Sequence, residues 1–299
     1  MSKFKGVIPA LITPFKNNGQ LFIRGIRNEI EHLHSFGYKR IFAGGSYSSF
    51  PLMNVAERIE FNTEVAKVCR ELEIESIIHI GTTNIKDSIE IAIHAEIDGA
   101  DVLSSVVPYY YSSTFYDEDI VLRYYEELAN SINIDLHCYN NEKATGFKIS
   151  NNLFKKIIDV GVRGIKDGNS STERILTMLE ICDDSKYDIE YYPSSTSSLI
   201  NGFLLGCDSC ISGLALSFPV LVLDIYDFIM IKDIDIAIES YKKLMKIRSL
   251  MNEKTGRAIV AYSLMNLNGV EVGTCRKPWI ELSKKEAKEL NKKIMEILK

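Results

Sequence analysis

The chain has 299 residues, of which 46% are hydrophobic and 25% charged, a composition that predicts a globular protein with a large core. Its formal net charge of -5 argues against a surface that binds nucleic acid or an anionic membrane, because such a surface must attract phosphates. The apolar segment 218–231 contains Asp224 and Asp227, and the N-terminal apolar stretch lacks a signal-peptide pattern, so we expect a cytoplasmic protein without a membrane span.

From the N-terminus onward, short runs rich in β-branched residues alternate with stretches of helical period. In the first helical stretch, residues 23–35, Ile23, Ile26 and Ile30 share one face. Eight strand–helix units in a chain of this length predict an α/β fold, a closed TIM (β/α)8 barrel, rather than an open sheet. The predicted strands span residues 6–12, 40–45, 75–81, 101–107, 135–139, 162–166, 188–192 and 209–213.

The pattern changes at about Phe218, after which only helical stretches follow. No low-complexity segment or long linker separates the two parts of the chain. The sequence therefore predicts a barrel catalytic domain over residues 1–217 and a C-terminal helical extension over residues 218–299 that packs on the barrel.

The spacing of cysteines and histidines argues against a metal site. Cys207 and Cys210 have CxxC spacing, but no second pair completes a zinc site. A redox role for this pair stays open, although two small residues on a barrel strand, in a chain of reduced thiols, explain it as well. The five histidines form no close cluster with carboxylates, and His79 and His137 fit buried barrel side chains. We therefore expect no metal cofactor.

Two neighbouring strands of the predicted barrel end on reactive side chains. Tyr139 ends the fifth strand and Lys166 ends the sixth. The C-terminal ends of barrel strands face the active-site mouth, and neighbouring strands lie about 4.8 Å apart, so phenol and amine can point at one volume. A lysine that loses water contacts can form a Schiff base with a ketone, and a nearby tyrosine hydroxyl can relay the protons.

Both residues also have an interpretation without catalysis. Lys166 can serve as the ion-pair partner of Asp167 or of another carboxylate. Tyr139 can be a half-buried aromatic residue with a satisfied hydroxyl. The spacing alone leaves these alternatives open.

With these residues in this order, the chain resembles the family of pyruvate-dependent class I aldolases that contains N-acetylneuraminate lyase and dihydrodipicolinate synthase. The resemblance runs from GVIPALITPF, residues 6–15, to CRKPW, residues 275–279. It implies that Lys166 in GIK forms the imine and that Tyr139 in YN is the proton relay and leaving-group acid. It also implies that Tyr110 in VPYYY reaches into the active site of a neighbouring subunit.

The segment GGSYSSF, residues 44–50, matches the family's carboxylate-binding loop only in part. Gly45 and Ser46 fit the pattern, and the resemblance gives Ser46 the hydroxyl that binds the keto-acid carboxylate and links the tyrosines. The loop's backbone N–H groups can still hold a carboxylate, and a tyrosine in this loop would narrow the pocket. The departures are Tyr47 for the usual threonine, Ser48 for the usual glycine and Ser49 for the usual glutamate.

The positions that set substrate choice in the family also depart from both known patterns. Ala144 stands where the synthases carry an arginine for the aldehyde's carboxylate. Thr196 and Ser197 stand where the lyases carry an Asp-Glu pair that binds the hydroxyls of the sugar chain. The hydroxyl groups of Thr196 and Ser197 can also bind these sugar hydroxyls, but more weakly than carboxylates do. The resemblance implies two more substrate contacts. Ser194 stands at a position that is usually glycine in the family, and Ile211 stands at the position whose backbone carbonyl lies near the lysine.

The sequence is compatible with three functions. The GGS and CRKPW segments favour a lyase-like aldolase that splits or joins pyruvate and an aldehyde on a sugar-acid-like substrate. Dihydrodipicolinate synthase itself is the alternative, and a barrel that binds a keto acid without catalysis is the third. The resemblance implies a homotetramer that acts on a small keto acid, with the lysine imine in place of any cofactor.

Overall fold

The computed structural model describes residues 4–253 and 256–299, and a barrel of parallel strands forms its centre. Each of the eight predicted strands is present, although most are shorter than predicted. The strands are β1 (Gly6–Pro9), β2 (Arg40–Ala43), β3 (Glu75–His79), β4 (Val102–Val106), β5 (Asp135–Asn140), β6 (Val162–Asp167), β7 (Glu190–Pro193) and β8 (Ser209–Ser212).

The strands follow one another around the barrel in chain order. β2 to β7 form one parallel sheet, and β1 pairs in parallel with β8. Ala10, which follows β1, bridges to Phe42 of β2 and joins the two sheets on one side. On the other side β7 packs beside β8. This order confirms the predicted (β/α)8 barrel.

Helices cover the outside of the barrel, and local sequence signals mark where several of them begin. The longest of the first three, residues 55–71, starts with a capping box in which Asn54 and Glu57 exchange side-chain-to-backbone hydrogen bonds. No helix within residues 4–253 and 256–299 has both the length and the apolar character needed to cross a membrane. The helices are α1 (Ile23–Ser35), α2 (Val55–Glu71), α3 (Ile85–Ile97), α4 (Ser112–Phe115), α5 (Glu118–Asn130), α6 (Glu142–Thr145), α7 (Asn151–Asp159), α8 (Thr172–Asp183), α9 (Leu199–Leu204), α10 (Leu214–Ser217) and α11 (Pro219–Met230).

Three further helices, α12 (Ile234–Asn252), α13 (Arg257–Leu267) and α14 (Lys284–Leu298), form the C-terminal extension. The predicted domain boundary at residue 218 would separate α11 from the barrel. However, α11 packs on β1 and α9 of the barrel as well as on α12, so it contacts both parts of the chain. We propose that the extension begins in the turn after α11.

The extension is attached to the C-terminal side of the barrel by polar contacts. Arg276 of CRKPW donates a 2.7 Å hydrogen bond to the Leu52 carbonyl and forms an ion pair with Glu57 at 2.5 Å. Tyr262 of α13 donates a 2.7 Å hydrogen bond to the Thr13 carbonyl. These bonds support a structural role for the CRKPW motif, and they fix α13 over the end of the barrel where the strands finish.

The opposite end of the barrel is filled by a buried polar cluster. Arg40 forms an ion pair with Glu190 at 2.8 Å and donates a 3.1 Å hydrogen bond to the Tyr192 hydroxyl. Burial lowers the pKa of the neighbouring His137 to about 4, so that this imidazole is neutral near pH 7. Clusters at the N-terminal end of barrel strands belong to stability rather than to catalysis. A catalytic site is therefore expected at the C-terminal end of the strands.

Candidate active site

Tyr139 and Lys166 lie side by side at the C-terminal ends of β5 and β6. The parallel register pairs the two residues directly, so their side chains leave the sheet on the same face. Lys166 Nζ lies 4.1 Å from the centre of the Tyr139 ring and 3.4 Å from the centre of the Phe42 ring. The barrel thus holds an amine, a phenol and an aromatic wall around one small volume.

The Lys166 amine is buried without a counter-charge. The residue is 5% exposed, and no carboxylate of residues 4–253 or 256–299 lies within 4 Å of Nζ. Asp167, the alternative partner, instead accepts 2.8 Å hydrogen bonds from Arg174 and from Asn140. Burial lowers the pKa of the Lys166 amine well below its usual range, which makes the neutral nucleophile available at lower pH.

The Tyr139 hydroxyl is held by an amide that the sequence analysis missed. Asn141 Nδ2 donates one hydrogen bond to Tyr139 Oη at 3.3 Å and another to Ser46 Oγ at 3.1 Å. Burial raises the pKa of the Tyr139 phenol, and hydrogen bonding with Ser46 partly offsets that rise. Because Asn141 only donates to the phenol oxygen, the phenol hydrogen stays available for transfer to another group. The only signal for Asn141 in the sequence is its place directly after β5.

The loop after β2 depends on close backbone approaches. Gly44 has a φ of +71°, and a Cβ on Gly45 would lie 2.4 Å from a carbon of the Phe42 ring, so both positions require glycine. Ser48 Oγ accepts a 3.0 Å hydrogen bond from the Gly44 N–H and donates a 2.6 Å bond to the Leu11 carbonyl. Ser48, which replaces the usual glycine, therefore links the backbone of the loop to the segment that follows β1.

Tyr47 crosses from this loop to the helical extension. Its hydroxyl donates a 3.3 Å hydrogen bond to the backbone carbonyl of Arg257, the first residue of α13. Its ring packs on Gly213, where a Cβ would lie 2.7 Å from a ring carbon. The phenol that replaces the usual threonine therefore packs between the loop and the extension, and its narrowing of the pocket stays a prediction.

A cavity of about 180 Å³ joins these elements at the mouth of the barrel. Most of the predicted site residues line it, together with five residues that were not predicted from the sequence: Ala10, Ser195, Gly213, Leu214 and Arg257. Its lining consists of Ala10, Ser46, Tyr47, Tyr139, Lys166, Ser194, Ser195, Thr196, Ile211, Gly213, Leu214 and Arg257.

Some of the predicted substrate contacts line the cavity, whereas Ser197 and Gly45 do not. Ser194 Oγ is buried and has no hydrogen-bond partner in the described part of the chain, so it is free to bind a ligand group. Thr196 is buried, with Oγ1 3.2 Å from Ser212 Oγ. Ser197 does not line the cavity, because its side chain turns outward and lies 2.6 Å from Ser195 Oγ. Gly45 also does not line the cavity. Contact of Gly45 and Ser197 with substrate therefore stays a prediction.

Comparison with known proteins identifies the family of this chain. The model of the dihydrodipicolinate synthetase family matches residues 3–297, almost the whole sequence. The chain belongs to this family. It is therefore a carbon–carbon lyase of the pyruvate-dependent aldolase type, and the resemblance noted from the sequence is confirmed.

Relatives within the dihydrodipicolinate synthetase family carry different activities in their names. The chain is 27% identical over 293 residues to a probable 2-dehydro-3-deoxy-D-pentonate aldolase of Escherichia coli, covering 97% of this chain and 95% of that protein. It is 26% identical over 283 residues to a 4-hydroxy-tetrahydrodipicolinate synthase of Methanococcus maripaludis, covering 93% of each. A sialic acid aldolase of Ruminococcus gnavus has the same fold, with a TM-score of 0.91, 22% identity and coverage of 99% and 98%.

A second cavity, of about 230 Å³, shares Ser46 with the first. It contains Ala144, at the position where the family's synthases carry an arginine. Asn141 also lines it, so the amide stands between the two cavities. No charged side chain lines this second cavity in the described residues. The remaining lining residues are Ser49, Phe50, Pro51, Leu52, Val106, Tyr109, Thr145 and Trp279.

Tyr110 points away from the site of its own chain. It is 85% exposed, its φ of +93° lies in the region that disfavours side chains, and its ring packs edge-on against Tyr111. It lines neither cavity within the described chain. Its predicted entry into a neighbouring subunit's site stays a prediction.

The titratable groups behind the site are structural. His79 is fully buried, with Nδ1 3.0 Å from the Gly44 carbonyl and Nε2 3.2 Å from the Val106 N–H, and burial lowers its pKa well below the usual range.

All six cysteines are buried and free, including Cys207 and Cys210 of the CxxC pair. Within residues 4–253 and 256–299, no cluster of three or more His, Cys, Asp or Glu side chains forms a metal site.

Proposed function

We propose that this enzyme cleaves a 2-keto-3-deoxy sugar acid to pyruvate and an aldehyde through a Schiff base on Lys166. The observation that carries the proposal is the Lys166 amine, buried without a counter-charge and in contact with the Tyr139 ring. An amine in that setting can attack the C2 keto carbon, and the resulting iminium withdraws electrons from the neighbouring C–C bond.

In this scheme Tyr139 moves one proton in each direction. It first donates its proton to the carbinolamine oxygen, so that the C2–O bond breaks and water leaves as the C=N bond forms. The phenolate then accepts the proton of the C4 hydroxyl, and the C3–C4 bond breaks as its electrons pass into the iminium, which releases the aldehyde and leaves an enamine on Lys166. The enamine takes a proton at C3, and water adds to C2 of the resulting iminium, so that the C–N bond breaks and pyruvate leaves with Lys166 free again. Asn141 donates to Tyr139 Oη at 3.3 Å, where it would stabilise the phenolate between these steps.

The loop after β2 supplies a place for the keto-acid carboxylate. The backbone N–H groups of Ser46 and Tyr47 donate to no acceptor in the described residues, whereas those of Ser48 and Ser49 are used within the loop. Neighbouring unused N–H groups form a concave anion site, and Ser46 Oγ adds a third donor. This supports the predicted role of Ser46 without the usual threonine.

The lining of the two cavities favours a hydroxylated substrate over aspartate semialdehyde. Ser194, Ser195 and Thr196 bring hydroxyl groups into the cavity that holds Lys166. Dihydrodipicolinate synthase, the alternative, needs a cation for the aldehyde's carboxylate, and Ala144 provides none in the second cavity. The hydroxyl-lined wall is suited to the hydroxyls of a sugar acid.

Reduction with borohydride in the presence of pyruvate tests the proposal. The reduced imine should add a fixed mass to Lys166 alone, as read by peptide mass spectrometry. Pyruvate release from N-acetylneuraminate and from 2-keto-3-deoxy acids is then compared with pyruvate consumption alongside aspartate semialdehyde. A wild-type enzyme that does not label would favour a barrel that binds keto acids without chemistry, and turnover only with the semialdehyde would favour the synthase.

The Asn141 amide is expected to contribute to the rate rather than to imine formation. An Asn141→Leu variant, which keeps the branched shape and removes both hydrogen bonds, should lower kcat about 30-fold, given roughly 1 kcal/mol for each hydrogen bond. Borohydride labelling by pyruvate should persist. Asn133→Leu, at an exposed position before β5, is the control. Equal kcat values for the Asn141→Leu and wild-type enzymes would remove the amide from the mechanism.

We also propose a homotetramer in which Tyr110 enters the site of a neighbouring subunit. Exposed aromatic rings at Tyr110 and Tyr111 support this, because a lone subunit leaves them to water. Light scattering coupled to size exclusion should give four times the chain mass of 33.8 kDa. A monomer with full activity would exclude a role for Tyr110 across an interface.

A further inference from the structure

Arg257 brings a guanidinium into the cavity that holds Lys166. It is the first residue of α13, and it lines the cavity beside Tyr47, whose hydroxyl bonds to its backbone carbonyl at 3.3 Å. Lys166 and Arg257 are the only residues of the described lining with basic side chains, and no acidic side chain lines the cavity. Because Lys166 reacts as the neutral amine, the lasting charge of the cavity is that of Arg257, which favours an anion.

No acid in the described residues neutralises Arg257, and its electrostatic neighbour Arg248 is also a cation. Across residues 4–253 and 256–299, no carboxylate lies within 4 Å of the guanidinium of Arg257 or of Arg248 on α12. Arg248 Nε is buried and has no hydrogen-bond partner in the described chain. Burial, together with repulsion from Arg248, lowers the pKa of Arg257. Arg248 does not line the cavity, so a ligand there would bind Arg257 and would meet Arg248 only through its charge.

The proposed reaction gives no role to the charge of Arg257. The carboxylate of the keto acid has the loop N–H groups of Ser46 and Tyr47, and Lys166 is consumed in forming the imine. Tyr47 joins that loop to the backbone of Arg257, so Arg257 lines the cavity from the extension and not from the carboxylate-binding loop. An arginine held at this place suits a second anionic group on the same substrate.

We propose that Arg257, supported by Arg248, binds a phosphate or carboxylate at the end of the substrate farthest from the keto group. The inference rests on the proposed Schiff-base function and narrows its substrate class from sugar acids in general to those with an anionic tail. The subsite belongs to the C-terminal extension, whereas the synthases' arginine stands after β5, at the position of Ala144.

Aldehydes that differ only in the tail provide the test. Wild-type enzyme with saturating pyruvate is assayed for condensation with glyceraldehyde, glyceraldehyde 3-phosphate and tartronate semialdehyde, which carry no anion, a phosphate and a carboxylate. We expect kcat/KM to be at least tenfold higher for one of the two anionic aldehydes than for glyceraldehyde, and the better one identifies the tail. Arg257→Met should reduce that value about 10- to 100-fold, the range for hydrogen bonds to a charged group, and leave glyceraldehyde unchanged.

Two variants and a labelling assay separate the outcomes. Arg257→Lys keeps the charge without the bidentate fork and should fall between wild type and Arg257→Met. Arg24→Met, which removes an exposed arginine from α1, is the matched control and should change nothing. Equal kcat/KM for charged and neutral aldehydes, or a loss of pyruvate labelling in Arg257→Met alone, would overturn the subsite, the second by placing Arg257 on the keto-acid carboxylate. Failure of the wild type to label would overturn the Schiff-base function itself.

Discussion

A Lys166→Met variant is expected to lose at least about 10⁴-fold in kcat for pyruvate release, because no other group of the described cavity can form the imine. Methionine keeps the length and apolar stem of the side chain, so the cavity wall beside Phe42 and Tyr139 should persist. The variant should take no label from pyruvate and borohydride, whereas the wild type takes one label per chain. Coupled pyruvate assays and intact-protein mass spectrometry measure the two effects.

The same substitution is expected to stabilise the fold, which distinguishes lost chemistry from lost structure. Burial lowers the pKa of Lys166 in the folded chain, so the unfolded chain binds more protons between that lowered pKa and the unfolded value near 10.4. Wild-type stability should therefore rise with pH through this window, and the Met variant should lack that rise. We expect a higher Tm for the variant at pH 7 and a difference that narrows as the pH approaches 10.

Lys143→Met provides the matched control for the amine. Lys143 is exposed, and it lies in the short helix α6 after β5, close in sequence to Tyr139. Its loss should change neither labelling nor kcat. A label that disappears from Lys143→Met but persists in Lys166→Met would reassign the imine and contradict the arrangement proposed for the site.

The barrel and the reactive pair were predictable because each depends on a local pattern. Alternating apolar runs marked the eight strands, and the polar residues that end two of them, Tyr139 and Lys166, became neighbours through the parallel register. Neither feature requires knowledge of distant contacts. The boundary of the extension was harder, since α11 is apolar like a core helix and packs both on β1 and α9 and on α12, and its assignment to the barrel stays a proposal.

The rest of the site depends on contacts between distant segments, which no local pattern encodes. Asn141 gains its role only because the loop after β2 places Ser46 Oγ 3.1 Å from its amide. Arg257 enters the cavity because Tyr262 and Arg276 attach the extension to the barrel, and its sequence context is that of an ordinary helix start. Ser197 shows the reverse case, because a short helical turn rotates it outward although its neighbour Thr196 is buried.

A Tyr139→Phe variant is expected to lower kcat by about 10²- to 10⁴-fold, the range for removing a general acid–base group. The ring that contacts Lys166 Nζ at 4.1 Å stays in place, so the amine keeps its environment and pyruvate labelling should survive, although more slowly. The loss should therefore appear in C–C cleavage more than in trapping. Steady-state pyruvate release and the rate of borohydride labelling, measured on the same preparation, separate the two steps.

Tyr38→Phe is the matched control, because it removes an equally buried hydroxyl that donates a 3.0 Å hydrogen bond to the Pro219 carbonyl, outside both cavities. It should cost about 1 kcal/mol of unfolding free energy and leave kcat unchanged. If Tyr139→Phe cleaves at the wild-type rate, the proton relay must be assigned elsewhere, and Ser46 is the remaining hydroxyl that shares the Asn141 amide. A Ser46→Ala variant would then show the larger loss, which reverses the order expected here, because in the proposed scheme Ser46 only binds the carboxylate and orients the phenol.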